Sequence, residues 1–175
     1  DAQWSSVGWQ GREGISDSGN QFHYYRTTED GRILWGGYDA VYHPGNGFGP
    51  QFENSRESYE RLAENFLQTF PQLSGLRFSH AWGGAIDTCS RFTAFWGTAH
   101  GGRTAYVTGY TGLGVGASRF GAATMLDLLD GRTTVRTELD MVRTKPLPFP
   151  PEPVRAWGIR MTTASLARAD RTGRR

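Results

Sequence analysis

The chain has 175 residues, a formal net charge of +2 and 37% hydrophobic residues, which is the composition of an ordinary globular domain. This small charge gives no reason to expect nucleic acid as a partner. No apolar stretch approaches the length of a membrane span, and no secretory signal peptide is visible. One cysteine excludes an internal disulfide and fits a reducing compartment, so the sequence predicts a cytoplasmic location.

The first half of the sequence predicts a hairpin, a loop and a helix. Residues 21–28 are aromatic and β-prone, and residues 32–38 form the returning strand after an Asp-Gly turn. Residues 43–54 carry several glycines and prolines and are predicted to form a loop. Ser55 is then a helix N-cap, apolar residues recur at helical spacing, and Pro71 ends the helix.

The second half predicts short strands followed by helices. The predicted strands cover residues 77–86, 92–96 and 104–108. The predicted helices cover residues 117–129, 135–143 and 154–169, with Gly131 closing the first of them and a proline-rich extended connector at 146–153.

Four glycines fall within eight residues between the strand at 104–108 and the helix that follows: Gly109, Gly112, Gly114 and Gly116. Glycine permits positive φ angles and a close approach of the backbone to a ligand. The N-terminus of the following helix directs free N–H groups at this turn, which suits an anion or an electron-rich carbonyl edge. The spacing differs from the G-x-G-x-x-G turn that binds the ADP part of dinucleotides. The alternative is a tight strand-to-helix connection that binds nothing.

Three segments together resemble a known family. The turn from Gly109 to Ala117 and its apolar helix resemble the C-terminal flavin-binding segment of the D-amino-acid oxidase and glycine oxidase superfamily. The segment from Asp30 to Gly37 resembles the hairpin of that family's substrate domain, and Trp82 to Thr88 resembles its W-x-G…T segment. With the proline-rich run at 146–151, the order of these segments is most similar to the branch that includes gamma-glutamylputrescine oxidoreductases.

The resemblance implies FAD as the cofactor and oxidation of a C–N bond by hydride transfer to it. It implies an α+β fold, with a mixed, largely antiparallel sheet covered by helices as the substrate domain and a strand–turn–helix that completes an FAD domain. The expected parts are a substrate-domain portion at 1–100, a flavin-contacting element at 101–131, and a connector and helix at 132–175. The residues expected beside the flavin ring are Gly109, Tyr110, Thr111, Gly112, Leu113 and Gly114.

The family begins with a strand, a G-x-G-x-x-G turn and a helix, and no such unit occurs in this sequence. We therefore expect these residues to be the C-terminal part of a longer flavoenzyme whose N-terminal FAD-binding part is the partner that they lack. Alone, they are expected to bind FAD poorly and to be inactive. The alternatives are a stand-alone β-rich binding module and an inactive fragment.

The substrate of this family is expected to meet residues of the hairpin and of the segment at 82–87. In amino-acid oxidases of this class the second segment resembles W-x-G-L-R-P, whose arginine pairs with the substrate carboxylate. Ile86 occupies that place here, so the resemblance favours an amine or a polyamine derivative, whose cation Asp87 attracts. The alternative for Asp87 is a turn residue. The other expected substrate residues are Tyr25 and Trp82, and only about half of the hairpin side chains can face a pocket.

Cys89 invites comparison with a branch in which a cysteine holds FAD covalently. That branch reads Cys-Met-Tyr, whereas this chain reads Cys89-Ser90-Arg91, so we expect non-covalent FAD and a buried structural cysteine. The four histidines are scattered at long intervals, and no metal site is expected. No catalytic acid, base or nucleophile emerges from the sequence.

Overall fold

A computed structural model describes residues 2–37 and 40–173. The chain forms two compact units, Asp1–Gly83 together with Glu152–Arg175, and Gly84–Pro151. Both helices and antiparallel strands are present, which confirms the α+β class. In chain order the elements are α1 (Ala2–Val7), β1 (Ile15–Ser16), β2 (His23–Thr27), β3 (Ile33–Gly37), α2 (Pro50–Glu53), α3 (Arg56–Thr69), a 3₁₀ turn (Pro71–Leu73), β4 (Phe95–Ala99), β5 (Thr104–Thr108), α4 (Gly114–Leu129), α5 (Asp140–Arg143) and α6 (Val154–Thr172).

The first unit contains the predicted hairpin. Strands β2 and β3 pair antiparallel, and β1 adds to the free edge of β2. Gly31 occupies the turn with a φ of 75°, which the Asp-Gly signal predicts, and the Thr28 N–H donates to the Arg32 carbonyl at 2.9 Å. The predicted hairpin is therefore confirmed, with strands at His23–Thr27 and Ile33–Gly37, and its register places Tyr25 opposite Trp35.

An aromatic cluster joins this sheet to α3. The Trp35 ring packs on Phe66 and Phe70 of the helix end at 5.6 and 6.1 Å between ring centroids, and its indole N–H donates to the Leu62 carbonyl at 3.1 Å. Ser55 caps the helix as predicted, because its side chain accepts from the Ser58 N–H. These contacts bury large aromatic area on one face of the hairpin.

The second unit is a hairpin covered by α4. Strands β4 and β5 pair antiparallel through a turn in which Gly101 and Gly102 both have positive φ. Trp96 is buried at the centre, and its indole N–H donates to the Gly121 carbonyl on α4 at 3.2 Å. Ala94 and Val142 complete this core.

The sheets differ from the prediction in arrangement. The described strands form a three-stranded and a two-stranded sheet with only antiparallel pairs, so the mixed, largely antiparallel sheet of the prediction is not confirmed. Residues 77–86 form no strand, because this exposed, irregular segment has no neighbouring strand among the described residues with which to pair. Strand β4 begins three residues later than predicted, since Phe92 has a φ of 56° and closes a turn on Cys89.

The helices differ from the prediction mainly at their ends. Helix α4 begins at Gly114 and not at Ala117, α5 is confined to residues 140–143, and α6 continues beyond the predicted end at Ala169. The predicted loop at 43–54 contains the short helix α2. Among residues 2–37 and 40–173, the helices lack the combination of length and hydrophobicity that a membrane-spanning helix needs.

The C-terminal end of α4 is closed by a buried ionic cluster. Asp127 is 1% exposed, and its carboxylate accepts hydrogen bonds from Arg136 Nε and Thr134 Oγ1, each at 2.9 Å. Arg132 lies 3.5 Å from the other carboxylate oxygen. Burial works to raise the pKa of Asp127, but the two hydrogen bonds and the two arginine charges outweigh it and hold the pKa below its usual range. The ionised cluster therefore stabilises the folded unit at neutral pH.

We predict that Asp127→Asn lowers the melting temperature by roughly 10 °C at pH 7, because it leaves the two arginines without their buried partner. The control is Asp130→Asn, which should change the melting temperature little, because the Asp130 carboxylate that pairs with Arg132 at 2.7 Å is exposed.

The contribution of Asp127 to stability depends on pH. The folded-state pKa of Asp127 is depressed, so its contribution is present above the unfolded-state pKa of 3.8 and is lost as the pH falls through the folded-state value. Thermal unfolding measured between pH 7 and pH 3 should show that the difference in melting temperature between wild type and Asp127→Asn becomes smaller as the pH falls. A difference that stays constant would contradict the stabilising role of the ionised Asp127.

Candidate functional site

The glycine-rich turn between β5 and α4 has a left-handed backbone at three of four consecutive residues. The φ angles are 79° at Gly109, 53° at Thr111 and 81° at Gly112. Gly109 is also confined, because a Cβ there would lie 3.2 Å from the Cys89 sulfur and from the Phe95 ring. Both the conformation and the space therefore favour glycine at position 109.

The residues before β4 hold this turn in place. One carboxylate oxygen of Asp87 accepts hydrogen bonds from the Thr108 hydroxyl and from the Gly109 N–H. The Asp87 carbonyl accepts from the Thr111 N–H at 2.7 Å. The hydroxyls of Thr88 and Thr111 share a further hydrogen bond at 3.0 Å. Segment 87–88 thus fixes the turn by side chain and by main chain.

The other side of the turn is open. A Cβ at Gly112 would meet no atom within 4 Å, and Leu113 and Val115 are 69% and 98% exposed. No side chain caps α4, and its first turn contains no acidic residue. The first N–H groups of a helix have no partner within the helix, and they carry its positive dipole end. The open side therefore suits a bound anion or an electron-rich carbonyl edge.

Two side chains of the turn, Tyr110 and Thr111, face the protein, whereas that of Leu113 is exposed. Tyr110 packs against the core of the unit, and its hydroxyl lies where a Cβ of Gly121 would be. Burial raises the pKa of that hydroxyl. The Thr111 hydroxyl donates to the Gly109 carbonyl at 3.2 Å. A ligand on the open side would accordingly meet backbone atoms of Gly112, Leu113 and Gly114.

The predicted substrate residues have different surroundings. Tyr25 belongs to the aromatic cluster of the first unit, 4.9 Å from Trp35 and edge-on to Trp9 and Phe70 at 5.7 Å. Trp82 is 67% exposed. Asp87 contacts the turn, which agrees with the turn role that the sequence left open as an alternative.

Sequence reasoning missed the residues that hold the turn. Thr108 carries no motif, Thr88 was singled out only as the end of the W-x-G…T segment, and their contacts with Asp87 and Thr111 join positions 21 to 23 residues apart. It also left open which hairpin side chains face outward. The structure places Tyr24 and Arg26 on the exposed face of β2, while His23 and Tyr25 face the aromatic cluster.

Cys89 is 6% exposed, and its thiol donates to the Thr93 carbonyl at 3.1 Å. This is the setting of a small buried structural residue that packs under Gly109. Across the described part of the chain, no three side chains of histidine, cysteine, aspartate or glutamate come together in a metal-binding group.

Comparisons with known proteins agree with the resemblance. The family model DAO, described as FAD dependent oxidoreductase, matches residues 2–128, which include the turn and most of α4. The chain is 28% identical over 141 residues to "Probable oxidoreductase OrdL" of Rhizobium meliloti (strain 1021), covering 80% of this chain and 30% of that protein. It is 32% identical over 123 residues to gamma-glutamylputrescine oxidoreductase of Escherichia coli (strain K12), covering 67% of this chain and 25% of that protein. The chain therefore spans less than a third of the length of these relatives. No solved structure gives a significant match.

We predict that FAD is released when the purified holoprotein is precipitated with acid, because the Cys89 sulfur is buried and hydrogen-bonded. The measurement is the flavin absorbance of the supernatant and of the washed pellet. Cys89→Ala should give the same distribution as the wild type. Yellow colour that stays with the wild-type pellet and leaves the Cys89→Ala pellet would contradict the prediction.

Proposed function

We propose that this chain, which belongs to the DAO family of FAD-dependent oxidoreductases, forms the flavin-contacting and substrate-binding portion of an enzyme that oxidises amines. The cofactor of this family is FAD. The observation that carries the proposal is the open side of the turn at 109–114, which lies within the matched range and presents uncapped helix N–H groups.

The residues present fit a flavin edge. Gly112 leaves room for a close approach, and the exposed first turn of α4 offers backbone donors without a competing carboxylate. When bound, FAD supplies the acceptor for the hydride that leaves the substrate. The N-terminus of α4 favours negative charge near it by roughly 0.3–2 kcal/mol. The proposed part of this helix end in the reaction is therefore to orient the flavin ring and to favour the reduced cofactor.

We propose that the cofactor contacts are made by the backbone of Gly109 to Gly114, with Tyr110 supporting the turn from inside. The division of the chain into a substrate-domain portion, a flavin-contacting element and a C-terminal part, at residues 100 and 131, stays a prediction. The sequence contains no G-x-G-x-x-G unit, which supports a further proposal that the ADP half of FAD is held by protein outside these 175 residues.

The proposed substrate is an amine or a polyamine derivative and not a simple α-amino acid. Ile86 stands where the resemblance places an arginine, and isoleucine cannot form the paired hydrogen bonds that hold a carboxylate. The name of one relative refers to an amine of this kind, gamma-glutamylputrescine. Tyr25 and Trp82 remain candidate substrate residues. A cytoplasmic location is proposed from the single free cysteine.

We predict that the flavin of the protein, purified as encoded by its gene, is reduced faster by amines than by α-amino acids. Anaerobic mixing with gamma-glutamylputrescine, putrescine or alanine measures the loss of the oxidised flavin absorbance. The rate with the better amine should exceed that with alanine by at least about tenfold, because the chain lacks the carboxylate clamp at position 86.

A matched variant, Ile86→Arg, should narrow that difference by improving the rate with alanine. Reduction by alanine that equals or exceeds reduction by both amines would refute the proposed substrate class. A protein that purifies without flavin and binds none when FAD is added would refute the proposed function as a whole.

A further inference from the structure

We propose that Asp87 is a positioning residue for the cofactor-binding turn, and that its carboxylate acts as a hydrogen-bond acceptor and not as an attractor of the substrate cation. This inference rests on the proposed function. It replaces the substrate role that the sequence suggested for Asp87 with a role in cofactor binding.

The contacts of Asp87 converge on the turn alone. Its carboxylate accepts from Thr108 and Gly109, the last residue of β5 and the first of the turn. Its carbonyl accepts from Thr111 two residues further on. One residue thus fixes the direction in which the chain leaves the sheet and enters α4.

The turn needs such a clamp because its backbone is unfavourable. Thr111 is β-branched, and its φ of 53° lies in the left-handed region that such residues rarely adopt. The Asp87 carbonyl accepts from the Thr111 N–H, and the Thr88 hydroxyl bonds to the Thr111 hydroxyl, so both the main chain and the side chain of this residue are held. Without these hydrogen bonds the turn can relax toward commoner angles, and the first N–H groups of α4 lose their fixed direction.

The same contacts argue against cation recognition. One carboxylate oxygen already accepts two hydrogen bonds from the turn, so its charge is partly compensated within the protein. The residue is exposed, and the field of an exposed charge is screened by water and salt. Acceptor geometry, rather than net charge, is the property of Asp87 that the turn uses.

The acceptor role and the cation-attracting role of Asp87 predict opposite behaviour for Asp87→Asn, which has nearly the same shape but no charge. Asp87→Asn keeps a side-chain oxygen that accepts from Gly109 and Thr108, whereas Asp87→Ala keeps only the main-chain carbonyl that accepts from Thr111. The measurements are the FAD dissociation constant from flavin fluorescence, the rise in melting temperature on adding FAD, and the KM for gamma-glutamylputrescine. All are made on the protein as encoded by its gene. Asp140→Asn is the control, since it removes one exposed negative charge from the same unit away from the turn.

For Asp87→Ala we expect FAD to bind at least about tenfold more weakly, with a smaller rise in melting temperature on adding FAD. For Asp87→Asn we expect FAD affinity within about threefold of the wild type and an unchanged KM. If Asp87→Ala does not fold, Thr88→Val still tests the clamp, because it removes only the hydroxyl that meets Thr111 and should weaken FAD binding about threefold.

Equal FAD affinity in wild type, Asp87→Ala and Thr88→Val would overturn the inference. So would a KM that rises equally in Asp87→Asn and Asp87→Ala while FAD binding stays unchanged, since that pattern belongs to a charge that attracts the substrate. A wild-type protein that binds no FAD overturns the proposed function and this inference with it, whereas the two preceding results overturn the inference alone.

Discussion

The hydrogen bonds that Asp87 accepts from Thr108 and Gly109 fix the point at which the chain leaves β5, and the rest of the site depends on them. They hold a backbone that is left-handed at three nearby residues and that would otherwise relax. Because Asp87, Thr88 and Thr108 hold the turn from the inside, its outer face leaves the first N–H groups of α4 accessible beside the exposed Leu113 side chain. That face suits an electron-rich ligand edge.

The two ends of α4 differ in how they are closed. Its N-terminus is open, with no side-chain cap and no acidic residue in the first turn. Its C-terminus is closed by Gly131, which has a φ of 65°, and by the buried carboxylate of Asp127 with its arginine partners. The exposed N–H groups at the open end are solvated by water in the free protein, and an acceptor that replaces this water meets the positive end of the helix dipole.

Local signals predicted the local parts of this fold. The Asp-Gly turn gave the first hairpin, and the Ser55 cap with apolar residues at helical spacing gave α3. The glycines at 109 and 112 marked the turn. Residues 77–86 were mispredicted because a strand needs a partner, and a partner is set by distant parts of the chain. The contact of Asp87 with Gly109 spans 22 residues and leaves no local pattern, so its geometry emerged only from the structure.

We propose that FAD contacts the backbone at the start of α4, and amide hydrogen exchange reports on this contact residue by residue. The measurement is the exchange of the protein, as encoded by its gene, with and without saturating FAD. The account predicts that amides of residues 112–116 exchange at least about fivefold more slowly with FAD, because they gain an acceptor that excludes water. The turn at Gly101 and Gly102, in the same unit, should be unaffected. Bound FAD that leaves exchange at residues 109–116 unchanged would contradict the account.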